Sequence, residues 1–296
     1  MIHFKMLFQL LFFTSNFWIT LSCNPPMDHD HTHVLHEVLS LPKELKECSG
    51  LIQLDKKTYV GLNDGGDKPI LYAFDLTHDH ETRKIKIDNV ENNDWEELTR
   101  DEDYIYIGDT GNNGGTRQNL MIYKLRKADV INLDEVVPEK IMFRYEGQTK
   151  FNDSNRHNFD CEAIVSVGDS LFLFTKNRGD LRTDVYGIPK IPGSYLARKL
   201  SSFNAQGLIS GADYRYDHSA AELILIGYDI KGHTYNPFLI HFTNFSGSDF
   251  FGGSSVRINI DKKIQGESVL FSDEHQVYIS NEETKSEKGY IYAVSL

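Results

Sequence analysis

Cysteine is scarce in this chain: three in 296 residues, too few for a disulfide framework. Stability then has to come from burial, and a hydrophobic content of 40% is ample for a sizeable core. Positive charge is short as well. Lys and Arg number 31 against 43 Asp and Glu, a formal charge of -12. That balance excludes nucleic acid, whose binding rests on basic side chains neutralising phosphates, and leaves cations and neutral or cationic ligands. Long stretches of helical periodicity are missing, whereas 15 Tyr and 18 Phe favour strands. Also missing are the GxSxG, HExxH and Walker patterns of common catalytic sites, which tips the balance toward binding.

The chain begins MIHFKMLFQLLFFTSNFWITLSCNPP. One Lys, an apolar run from Met6 to Leu21 and a polar break are the layout of a secretory signal. The run is short and interrupted for a membrane span. Thr20-Leu21-Ser22-Cys23 resembles the lipobox of bacterial lipoproteins, which makes residues 1–22 a signal peptide and Cys23 the lipidated start of the mature chain. The expected location is the outer membrane or cell envelope, touching lipid only through that anchor, with a secreted soluble protein as the alternative. The following DHDHTHVLH carries four His and two Asp, a composition able to bind a transition metal. The reading preferred is a flexible tether over 23–33, ahead of a single domain over 34–296.

A repeat decides the fold class. Five copies begin ECSGLIQLDKKTYVGLNDGG at Glu47, DWEELTRDEDYIYIGDTGNN at Asp94, DCEAIVSVGDSLFLFTKNRGD at Asp160, GADYRYDHSAAELILIGYDIKG at Gly211 and QGESVLFSDEHQVYISNEETK at Gln265. Their spacing is irregular, about fifty residues, within the range of propeller repeats. Each copy offers a first short strand, a turn, a more apolar second strand (TYVGL, YIYIG, LFLFT, LILIG, VYISN) and a third strand after a loop. A weaker fourth strand follows in four copies; the fifth copy ends at Leu296 without one, and VLHEVLSLP near the N-terminus fills its place. The class is therefore all-β, a β-propeller of five four-stranded blades closed by an N-terminal strand. Six blades are the alternative, with extra structure hidden around Arg126 to Val137.

In an antiparallel hairpin the start of one strand lies beside the end of the next. The acidic starts and polar ends of all five copies therefore meet at one mouth of the central channel. Glu96, Glu162, Asp213 and Glu267 are read as an acid ring able to hold a hard cation, calcium being the candidate cofactor. Trp95, Asp109, Asn112, Lys176, Arg178, Tyr228 and Glu282 are read as ligand-binding neighbours. The same acids also suit strand capping, and that reading stands beside the functional one. Cys48 and Cys161 occupy equivalent positions and are expected to be buried core residues.

The segments ECSGL with NDGG, NDWEEL with YIGDTGNN, DCEAI with FTKNR, and QGESV with ISNEE resemble a family of secreted bacterial β-propellers of largely unknown function, related to propellers called phytase-like or esterase-like. The resemblance covers most of the chain from Glu47 on and implies a propeller with an acidic top face. The expected function is envelope-associated binding of a small molecule, glycan or protein at that face, with calcium as a possible component. The alternative is a calcium-dependent phosphoesterase or a glycoside hydrolase using paired carboxylates.

Overall fold

The computed structural model describes residues 28–76, 82–152, 154–217, 220–231, 234–273, 275–284 and 287–296. The expected signal over 1–22 and the expected lipidation at Cys23 lie outside these residues. The chain enters with β1 (Asp28–His33) and β2 (His36–Ser40). The first repeat supplies β3 (Cys48–Gln53), β4 (Thr58–Asn63), β5 (Ile70–Asp75) and β6 (Arg83–Ile87). The second supplies β7 (Trp95–Arg100), β8 (Tyr104–Asp109) and β9 (Leu120–Arg126), then a short helix α1 (Lys127–Asn132), β10 (Glu135–Val136) and β11 (Glu139–Tyr145). The third gives β12 (Cys161–Val167), β13 (Ser170–Thr175), β14 (Thr183–Pro189) and β15 (Gly193–Phe203). The fourth gives β16 (Leu208–Asp217), β17 (Ala220–Lys231), β18 (Thr234–Thr243) and β19 (Ser254–Ile260). The fifth gives β20 (Gly266–Asp273), β21 (Gln276–Asn281) and β22 (Tyr290–Ser295).

Within each repeat successive strands pair antiparallel, except that β9 pairs with β11 past β10, and β2 pairs with β22 to complete the fifth unit. The stretch between Arg126 and Val137 forms α1 and β10, and β10 extends the first unit's sheet beside β6. The second and third units share one eight-stranded sheet because their outer strands β11 and β15 pair in parallel. The expectation of a flexible tether over 23–33 needs correction from Asp28 onward. There the chain is strand, paired in parallel with β19, whose edge would otherwise present unpaired main-chain groups.

The first strands of the repeats form a closed cycle of neighbours: β3 packs on β7, β7 on β12, β12 on β16, β16 on β20, and β20 on β3. This radial stacking is propeller-like, and it explains the composition of the strands. Strands sandwiched between two sheets are buried on both faces, so β8, β13 and β17 read as near-continuous apolar runs. Outer strands such as β11 bury one face only, and EKIMFRY alternates accordingly. The core is divided the same way, into apolar clusters that each bridge successive units. Trp95 and Tyr123 of the second unit pack on Val60 and Leu71 of the first, and Leu270 and Ile291 of the fifth pack on Leu51 and Phe74 of the first.

Candidate functional site

Near the channel mouth the ladder of every first strand skips a residue. The register breaks between Cys48 and Gly50, Trp95 and Glu97, Cys161 and Ala163, Ile209 and Gly211, and Gly266 and Ser268. A bulge leaves one residue unpaired and re-aims its side chain. The residues so placed are Ser49, Glu96, Glu162, Ser210 and Glu267. In the first and fourth units the hydroxyl is a clasp to the next unit: Ser49 Oγ donates to the Trp95 carbonyl at 3.0 Å, and Ser210 Oγ to the Gly266 carbonyl at 2.6 Å. In the other three units the position carries a buried glutamate.

This register corrects the reading of Asp213 as a member of the acid ring. Asp213 lies three residues farther along β16, opposite Ile224, and its carboxylate accepts the main-chain N–H groups of Tyr214 and Phe271, each at 2.9 Å. The shared Ser-Gly pair at 49–50 and 210–211 was the signal for the true alignment. It also has a packing reason, since a Cβ on Gly211 would run into the main chain of Glu267 and Ser268.

The third unit's part of the mouth is charge-paired. Lys176 Nζ lies 2.8 Å from Glu162 Oε2, with both side chains almost fully buried. Arg178 bonds Asp160, approaches the other Glu162 oxygen at 3.7 Å and reaches Asn113. Burial works to lower the Lys176 pKa, but Glu162, Glu267, Tyr228 and Glu96 outweigh it and hold the ammonium charged. The Lys176 ammonium also sits 5.3 Å from the Tyr228 ring centroid. Glu267 is pushed up by burial and pulled back by Lys176 and by the Gln265 amide that donates to it at 2.5 Å. Glu282 rises to about 8 through burial, then Glu267 and Asp64.

Among the described residues, no ion pair to Asp64, Asp94 or Glu96 is found in the first and second units' part. Asp64, Asp94 and Glu96 bring one carboxylate oxygen each within 4.8 Å of one another. Glu96 is 5% exposed, and no hydrogen bond to its carboxylate is found among the described residues. Burial, then Glu162, Asp64, Asp160 and Asp94, push its pKa well above the usual value. Asp94 rises to about 6 through burial and Asp64, with Arg117 opposing. Gly111 is needed beside them, because any Cβ there would collide with the carboxylates of Glu96 and Asp94.

Three expected ligand contacts are structural instead. Trp95 is fully buried between the first two units, with its ring 6.1 Å from Tyr123, out of reach of a ligand at the mouth. Asp109 is a buried hub: it takes a 2.7 Å ion pair from Arg117 and hydrogen bonds from the Asp94 N–H, the Asn93 amide and the Tyr123 hydroxyl. Asn112 bonds the Phe159 carbonyl, the Arg117 N–H and, through its own N–H, Asp160. Lys176, Arg178, Tyr228 and Glu282 do lie at the mouth with Glu96, Glu162 and Glu267.

Asp94, Asp160 and Glu97 were not singled out in the sequence. The first two had a visible signal, an Asp two residues before the bulge Glu in two consecutive repeats. Glu97 had none: its carboxylate crosses the channel from β7 to accept the Ala212 N–H of β16 at 3.0 Å. Cys48 and Cys161 are buried at equivalent register positions, and burial raises both thiols to about 12.

No protein-family model and no curated protein matches this chain. Among solved structures, the Nup133 β-propeller domain of Vanderwaltozyma polyspora is 8% identical over 81% of this chain and 80% of its own, with a TM-score of 0.35. Raptor of Chaetomium thermophilum is 10% identical over 90% of this chain, which spans 30% of Raptor, with a TM-score of 0.42. Both values are too low to add to what the sheet connectivity establishes.

Proposed function

We propose that the chain is an exported, five-bladed β-propeller, held at the cell envelope through Cys23, whose channel mouth binds a positively charged group of a ligand or partner. One observation carries the binding reading. Seven carboxylates, of Asp64, Asp94, Glu96, Asp160, Glu162, Glu267 and Glu282, gather at the mouth against three cations, Lys176, Arg178 and Arg117, the last of them paired with Asp109. Buried like charges repel strongly at low effective dielectric, so an arriving cation relieves a cost that the empty mouth bears. Five blades are supported by the closed cycle of five first strands, and export by the N-terminal pattern alone.

The test is calorimetric titration of the full-length chain with spermidine and with a tri-lysine peptide, at low and high salt. Binding that weakens with salt and in Glu267→Gln or Glu282→Gln is expected. Absence of binding to both probes, or equal binding by the variants, overturns the reading. Loss of palmitate labelling in Cys23→Ser checks the anchor separately.

A further inference from the structure

We infer that Asp64, Asp94 and Glu96 form a site for one hard divalent cation, calcium foremost, set between the first two units. The inference rests on the reading of the mouth as a cation acceptor and specifies what occupies this side of it. The oxygens fall within 4.8 Å of one another, about twice the calcium–oxygen distance of roughly 2.4 Å, so a single ion can touch all three. The donor set is oxygen only, which excludes the softer metals that favour His and Cys.

A cluster of acids alone would not suffice, since exposed acids gather without metal. Glu96 is the second observation. It is 95% removed from solvent by its 5% exposure, it points at Asp94 beside Gly111, and nothing among the described residues donates to it. Buried carboxylates are normally hydrogen-bonded or paired. The nearby cations are already committed: Lys176 to Glu162, Arg178 to Asp160, and Arg117 to Asp109. The tight glycine at 111 keeps the space beside Glu96 free of side chain, and water can complete the coordination shell.

The purified full-length chain, stripped with chelator and dialysed, is titrated with calcium chloride and then magnesium chloride by calorimetry. Thermal melting is followed in parallel, for wild type and for Glu96→Gln and Asp94→Asn. One calcium per chain is expected, with a rise in melting temperature and at least about tenfold weaker binding in either variant, on the scale of losses at metal sites. Without metal, Glu96→Gln is expected to melt above wild type, because the amide removes the unpaired charge; with calcium the order reverses. A purely structural acid would not produce that reversal. No heat and no melting shift with either metal overturns the inference, as does calcium binding by Glu96→Gln within about twofold of wild type. If spermidine still binds in that case, the broader reading of the mouth stands and only the metal site falls; if neither binds, both fall.

Discussion

The Asp-x-Glu motif occurs twice at the same register, as Asp94 and Glu96 in the second unit and Asp160 and Glu162 in the third, and the two copies meet opposite surroundings. What differs is the residue just past the second strand of each hairpin. In the third unit it is Lys176, which neutralises Glu162 at 2.8 Å. In the second it is Thr110, whose hydroxyl is spent on the Cys161 carbonyl at 2.8 Å, and in the first it is Asp64, which adds charge to the Glu96 side. A repeated acid is thus not one function repeated. One copy is closed by its own hairpin, and for the other no ion pair is found among the described residues.

The largest effect should come from breaking the closed copy. Lys176→Met leaves Glu162 in the core with only Arg178, 3.7 Å away, and a loss of about 3–5 kcal/mol in urea unfolding is expected. The double variant Lys176→Met with Glu162→Gln should recover a large part of it, whereas equal loss in both would mean that the pair is not what holds this side.

The open copy should respond with the opposite sign. In chelator at pH 8, Glu96→Gln should stabilise by roughly 1–2 kcal/mol, since the amide carries no charge beside Glu162, Asp64, Asp160 and Asp94 and its N–H groups can donate to the nearby carboxylates. A destabilised variant would show that the ionised Glu96 has a favourable partner.

The pH profile separates the two sides next. Asp94 is raised to about 6 and Glu282 to about 8, so the folded state holds protons that the unfolded state has released. Metal-free stability should therefore be full below the ordinary carboxylate range and fall as pH climbs through 6 toward 8. Calcium should flatten that fall by favouring the ionised form of Asp94. A metal-free melting temperature that rises from pH 5 to pH 8 would contradict the assignment.

The smallest effect belongs to the units that carry Ser where the others carry Glu. Ser210→Ala removes a buried clasp to the Gly266 carbonyl and should cost about 1 kcal/mol, with no change in cation binding. A change in calcium affinity in this variant would extend the site beyond the first two units.

Much of the fold could be read in the chain because a propeller-like ring repeats one hydrophobic pattern. The alternation in EKIMFRY and the apolar run LFLFT report one-sided and two-sided burial directly, and VLHEVLSLP was identifiable as the strand that completes the fifth unit. The site was legible only in part. That Glu96, Glu162, Glu267, Lys176, Arg178, Tyr228 and Glu282 lie together at the mouth followed from hairpin geometry. Asp213 was misplaced because the fourth copy was set three residues out of line, on Asp213 instead of the Ser210-Gly211 pair that matches Ser49-Gly50 at the bulge. Trp95 reads as a ligand contact in the sequence because it occurs in one copy of the repeat only. Its side chain faces the opposite way from that of Glu96, into the core between units.

The sequence by itself determined the all-β class, the repeat and the acidic character of the hairpin ends, since these follow from local periodicity and composition. Only the tertiary structure decided which acids find a cation. That choice depends on pairings between residues from different units and across the channel, such as Glu97 with Ala212, and at a few ångströms in a buried mouth those distances set the charge state of each group.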